Sequence, residues 1–246
     1  MKIISVIPLK KGVLKGDLTY FTSLDIPKGN IVSVPIRKQK VLALVTSSAD
    51  LKNTKSDVKS MDFNLKKVHA NMGKSVFLKE FLQSIFDSCD YFTQNKASAV
   101  ASFIPSIFIE KYTKLAHLTP PLAPLSLSRR GVGGEVKPEK LLFQYPFLDR
   151  VSVYKTLVRE SFARGKSIFL ILPTESDIVK FESQLSKGVE RFAFSLYSGI
   201  SANKNILTYE KIVSSNHPVL VICTAPYLSI PLKNIGTIIL EHENSN

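Results

Sequence analysis

The sequence predicts an α+β chain in two parts. A small β-rich module occupies residues 1–105, and an α/β module with a mostly parallel sheet occupies residues 139–246. Three observations predict this. Short β-rich runs at regular spacing fill the first 48 residues. From residue 139 onward, apolar strand-like runs alternate with segments of helical period. Between them HLTPPLAPLSLSRRGVGGEVKP (117–138) is rich in Pro, Ser and Gly, a linker by composition, and the connection as a whole is taken as 106–138.

The elements follow in order. KIISVIPL, LTYFTSL, NIVSVPI and KVLALVTSS read as strands, with PKGN (27–30) as a turn. Their spacing suits a small antiparallel barrel or sheet. The polar run 49–60 reads as a loop. Over 75–93, Phe77, Phe81, Leu82, Ile85, Phe86 and Cys89 fall at helical spacing and predict an amphipathic helix. KASAVASF predicts a second helix that stops before Pro105, because the residue preceding a proline is driven from helical angles. In the second module LLFQY is a strand, SVYKTLVRESFARG a helix and SIFLILP a buried strand. TESDIVKFESQL is a helix with Thr174 as N-cap, RFAFSLYS a strand, and ANKNILTYEKIVSS a helix. PVLVICT and GTIILE close the pattern as strands. Such near-continuous apolar strands predict a parallel sheet covered on both faces.

Composition narrows the function. Thirty-three basic against 20 acidic residues leave a formal net charge of +13. A chain this basic attracts polyanions, nucleic acid first. Cys89 and Cys223 lie far apart in apolar runs and form no CxxC pair, which points to a reducing, cytoplasmic setting without disulfides or structural zinc. The four histidines are scattered. No apolar run reaches the ~20 residues of a membrane span. MKIISVIPLKKG reads as a first strand rather than a signal peptide.

Several stretches together resemble the primosomal protein N′ family (PriA), the replication-restart DNA helicases. LTYFTSLDIPKGNIVSVPIRKQKVLALV is similar to that family's tyrosine strand, glycine turn and V-x-V-P-F-G-(K/R) segment. SIFDSCDYFTQNKASAVASFIP is similar to its A-x-Y-Y helix ending near L-P. LPTESDI and LYSGIS look like its V-P-E-I-x-L-T and H-S-x-x-S segments. VICTAPYLSIPLKNIGTIILEHE keeps Thr224, Leu228, Pro231, Asn234 and Gly236 in step with the family's run to D-E-E-H. The resemblance implies a 3′-DNA-binding domain followed by a P-loop-type, RecA-like first helicase lobe. It implies ATP and Mg²⁺ as the family's cofactors, and as partners DNA (forks, 3′ ends, single-stranded regions) with replication-restart or primosome proteins.

The departures bear on mechanism. The family's phosphate loop, L-L-x-G-V-T-G-S-G-K-T-E-V-Y, falls on LLFQYPFLDRVSVY. Gln144, Phe147 and Asp149 stand at its glycines, Arg150 at its lysine and Val151 at its threonine. Glycines let backbone N–H groups surround phosphate, a lysine reaches its oxygens, and a Ser/Thr hydroxyl holds Mg²⁺. None of these is present, so no nucleotide cofactor is expected. Glu241 and Glu243 fall on the acidic segment, where they read as a polar tail. The family's second lobe, zinc cysteines and winged helix have no counterpart here, so unwinding by this chain alone is not expected.

In the first module the resemblance places a 3′-end pocket on Leu18, Thr19 and Tyr20. Tyr20 is either a stacking ring for a terminal base or an ordinary strand tyrosine. Thr19 stands for an aspartate that would accept from a 3′-OH. Arg37, at a family glycine, joins Lys38 and Lys40 in a cationic connection, and Lys59 is aligned loosely with a pocket lysine. The expectation is a DNA-binding protein for forked or 3′-ended DNA, without catalysis. A partner-docking pseudo-helicase and a divergent ATPase completed by another chain remain open.

Overall fold

The computed structural model describes residues 1–10, 17–50, 65–118, 139–232 and 234–241. The first sheet has six strands: β1 Lys2–Pro8, β2 Leu18–Thr22, β3 Asn30–Ile36, β4 Gln39–Asp50, β5 Lys66–Lys67 and β6 Ala70–Lys74. Their order is β5-β2-β1-β4-β3-β6. All pairs are antiparallel except β2–β5. The four strands read from the sequence are present, but β4 runs on through Ala49 and Asp50, where a loop was expected. β5 and β6 are polar strands that no apolar pattern announces.

A bulge between Ser5 and Val6 bends β1. The sheet curls around Ile4, Val6, Tyr20, Val32, Val34 and Val45, which form its own core.

Four helices follow: α1 Lys79–Tyr91, α2 Lys96–Phe103, α3 Ser106–Glu110 and α4 Tyr112–Leu118. Asn95 caps α2 by accepting from the Ser98 N–H at 3.1 Å, and Ile104 ends it in an extended conformation ahead of Pro105. The stretch expected to be linker thus begins with α3 and α4. Residues 119–138, including Arg129 and Arg130, lie outside the described residues.

The second sheet comprises β7 Ser167–Ile171, β8 Ala193–Leu196, β9 Leu220–Cys223 and β10 Ile235–Leu240, all parallel, in the order β10-β7-β9-β8. Its helices are α5 Phe147–Ala163, α6 Glu175–Leu185 and α7 Ala202–Ser214. Thr174 caps α6 as expected, its Oγ1 accepting from the Asp177 N–H at 3.2 Å. LLFQY is not a strand: residues 139–146 have no regular structure, and Leu142 is fully exposed. An apolar run becomes a strand only where a neighbour takes its backbone hydrogen bonds. The expectation of a sheet covered on both faces also fails at β10. It half-buries alternate residues only, with Ile238 and Leu240 exposed.

One core cluster joins the two sheets. Ile7, Ile31 and Leu44 of the first, with Leu9 just after β1, share it with Phe169, Val221 and Cys223 of the second, through helices α1–α4 and α7. Phe108 of α3 is fully buried in it, edge-on to Tyr209 at 5.1 Å and Tyr227 at 5.6 Å. A separate cluster packs α5 and α6 on the opposite face of the second sheet. Among the described residues, no helix is long and apolar enough to cross a membrane.

Candidate functional site

The sequence points to two places, the β3–β4 connection and the carboxyl ends of the parallel strands. At the first, Ile36 pairs with Gln39, so Arg37 and Lys38 form a two-residue hairpin turn. Arg37 takes φ 52°, a left-handed conformation that glycine adopts more readily. Arg37, Lys38, Gln39 and Lys40 are all exposed. Lys10, which follows β1, donates to Gln39 Oε1 at 2.7 Å. The tip therefore gathers Lys10, Arg37, Lys38 and Lys40. Lys10 was missed because it lies 29 positions from Gln39 in the chain. Cations on a short rigid turn suit phosphate contacts that carry no sequence preference.

Beneath the hairpin the expected pocket residues are placed differently. Leu18 and Thr19 are half-buried, and Thr19 pairs with Ser5 across the sheet. Tyr20 is only 5% exposed, with its ring in the core of the curled sheet. Its hydroxyl donates to the Pro35 carbonyl at 3.0 Å, and burial raises its pKa. As placed, the ring offers no free face to a base. Lys59 lies outside the described residues. Lys66 and Lys67 of β5 stand exposed in register with Tyr20 and Phe21. No sequence signal marked them, since a two-residue polar strand has no periodicity to read.

The second place lies at the carboxyl ends of β7 and β10 and the first turn of α5, the end of an open parallel sheet where ligands ordinarily bind. Here the chain's own side chains occupy it. Arg150 Nη2 lies 2.8 Å from Glu241 Oε1, with the two side chains 16% and 5% exposed. Arg150 Nη1 also donates to the Tyr145 carbonyl at 3.0 Å. The Tyr154 hydroxyl donates to Glu241 Oε2 at 2.5 Å, and its pKa is raised first by burial and then by that carboxylate. Glu241 is anchored through its N–H to the Ile171 carbonyl at 3.0 Å. Its reading as a polar tail is therefore corrected: it is a buried, paired carboxylate. Glu243 lies outside the described residues.

The remaining positions of the expected phosphate loop do not converge. Gln144 and Asp149 are exposed. Phe147 is edge-on to Phe181 at 5.1 Å, with Lys180 Nζ 3.8 Å above its ring. Val151 is buried against the sheet. This donor set does not fit a nucleoside triphosphate with magnesium. The arginine is committed to a carboxylate, the carboxylate to an arginine and a phenol, and Val151 has no oxygen for a metal. Among the described residues, no group of three or more His, Cys, Asp or Glu side chains is placed to hold a metal.

The same end brings LPTESDI and LYSGIS together. Glu175 Oε1 accepts from the Ser198 hydroxyl at 2.7 Å and from the Gly199 N–H at 2.9 Å. A Cβ at Gly199 would fall 2.4 Å from the Glu175 carboxylate, so a larger residue there would push that side chain out of the clasp. Asn205 tightens this loop by donating to the Tyr197 and Ile200 carbonyls. Sequence spacing cannot show such a clasp across 24 residues.

No protein-family model matches the chain. Over 231 residues it is 25% identical to the replication restart protein PriA of Helicobacter pylori strain J99 and 24% identical to that of strain 26695. The match covers 92% of this chain but 35% of each relative, so the chain spans about a third of their length. This is a distant similarity along most of the chain.

Proposed function

We propose that this chain is a DNA-binding protein of replication restart or primosome assembly, acting in the cytoplasm without ATP turnover. It engages forked or 3′-ended DNA through the hairpin end of the first sheet. The second sheet serves as a degenerate P-loop-type, RecA-like helicase lobe. The observation that carries the reading is the exposed cationic tip of Lys10, Arg37, Lys38 and Lys40, supported by the distant similarity to PriA. Lysine and arginine on phosphates release counterions, so affinity falls steeply as salt rises.

The test is fluorescence anisotropy with a model fork at two salt concentrations, its nascent 3′ end either free or phosphate-capped. Salt-sensitive binding to both forks is expected, because Thr19 lacks a carboxylate to accept from a 3′-OH and Tyr20 is buried. Selectivity for the free end would move the reading towards an intact end pocket. Absence of binding at low salt would overturn it.

A second reading is favoured by a specific observation. Leu141, Leu142, Leu148, Ile238 and Leu240 are all more than half exposed around the start of α5 and the end of β10. Apolar exposure of this extent marks docking surfaces. Under that reading the lobe binds a protein partner and DNA contact is secondary, which weak, salt-insensitive DNA binding would indicate.

A further inference from the structure

Two aromatic side chains at the end of α1 stand in solvent. Tyr91 is 81% exposed and Phe92 65%. Their ring centroids are 4.8 Å apart and the planes meet at 84°, so the edge of one ring meets a face of the other and the remaining ring faces stay open. Aromatic rings are ordinarily the most profitable side chains to bury. Two adjacent rings left open on a folded surface call for a ligand with a flat face.

The backbone beneath them is fixed. The Phe92 N–H donates to the Ser88 carbonyl and the Gln94 N–H to the Cys89 carbonyl, each at 2.9 Å. Thr93 turns the chain at φ 54°, and Asn95 begins α2 with its cap. Cys89, one turn back, is 2% exposed and anchors this end of α1 in the shared core. At the start of α2, Lys96 pairs with Asp90, the residue before Tyr91, at 2.9 Å and lies 5.8 Å from the Phe86 ring centre. Lys96 also lies within electrostatic reach of Asp17, whose carboxylate is 3.5 Å from the Thr46 hydroxyl of β4. Helix α2, which follows the aromatic pair and carries Lys96, packs on β1 of the sheet that carries the cationic hairpin. The other exposed pair, Phe143 and Tyr145, is stacked at 4.6 Å and 26°, so its rings cover each other.

We propose that Tyr91 and Phe92 form a stacking platform for unpaired bases of single-stranded DNA. The proposal rests on the DNA-binding reading above and adds a second contact of different chemistry. The hairpin takes phosphates, and the platform takes base faces of any sequence, since every base presents a π-face.

The chain has no tryptophan, so Tyr91→Trp introduces a single indole as a reporter. Oligothymidylate is expected to quench its fluorescence, and blunt duplex to leave it unchanged. Tyr91→Ala/Phe92→Ala should weaken oligothymidylate binding about tenfold, with duplex binding and the salt dependence preserved. Both residues are exposed, so circular dichroism and the melting temperature should not move. Unchanged affinity in the double alanine variant, or equal quenching by duplex, would overturn the platform while leaving the hairpin reading intact. Absence of any DNA binding by the unaltered chain would overturn both.

Discussion

Arg37 and Arg150 sit at corresponding decisive points of the two sheets and are treated in opposite ways. Arg37 is exposed on a strained two-residue turn, beside Lys38 and Lys40, at the tip of an antiparallel hairpin. Arg150 is turned inward at the end of a parallel sheet and held by Glu241 and the Tyr145 carbonyl. An exposed arginine keeps its donors for an incoming anion. A buried one needs an internal counter-charge, because desolvating an unpaired charge costs several kcal/mol. The second sheet has thus met the charge of Arg150 with its own groups. The first leaves Arg37 exposed. The difference lies in burial more than in residue type.

The largest expected effect tests the closed end. Glu241→Ala leaves Arg150 and the Tyr154 hydroxyl without their shared carboxylate, and should destabilise the fold by about 3 kcal/mol in denaturant unfolding. Replacing both partners by apolar residues, Arg150→Met with Glu241→Leu, should restore most of that loss. If Glu241→Ala unfolds at the original midpoint, the pair is not the buried link described here.

The open end is tested next. Changing Arg37, Lys38 and Lys40 together to Gln should leave stability within about 0.5 kcal/mol. It should reduce the slope of log affinity for DNA against log salt by up to about 3. An unchanged slope would place the phosphate contacts elsewhere, with Lys66 and Lys67 as the next positions to change.

The interior separates from both ends in alkaline solution. Burial raises the pKa of Tyr112 and Tyr154, and pushes that of Tyr227 up to about 12 from an ordinary 10.0. Below pH 10 these phenols are protonated in both folded and unfolded chains. Above it the unfolded chain releases protons that the fold retains, so stability should fall from about pH 10 towards 12. Tyr227→Phe should flatten that fall, as followed by thermal melts across the range. A smaller effect sharpens the view of the hairpin base. Tyr20→Phe removes the bond to the Pro35 carbonyl and should cost about 1 kcal/mol while leaving DNA affinity unchanged. A marked loss of DNA affinity in that variant would show that the ring contacts DNA after all.

Much of the framework was legible in the sequence because two periodicities are strong. The apolar runs of β1 to β4 and β7 to β10 lie where the pattern puts them, and Thr174 caps its helix as its residue type predicts. What escaped was whatever depends on partners distant in sequence. LLFQY looked like a strand but found no neighbour to pair with. The two residues of β5 exist only because β2 offers its edge. Helices α3 and α4 were hidden by their place before a proline-rich run, although Phe108 and Tyr112 are fully buried in the shared core. At the candidate site the cationic hairpin could be read directly from RKQK. The burial of Tyr20 and the pairing of Glu241 could not, since each is set by a residue from another element, Pro35 in one case and Arg150 and Tyr154 in the other.

The comparison between the two ends reduces to one measurement: the melting temperature of the intact chain, taken alone, with forked DNA, and with ATP and magnesium. A ligand that binds only the folded state raises that temperature, and the more so the further its concentration exceeds Kd. The account predicts a rise with DNA that disappears at high salt, and no change with ATP and magnesium. A rise with ATP and magnesium would contradict it, because the Arg150–Glu241 pair would then have to open and give way to a nucleotide.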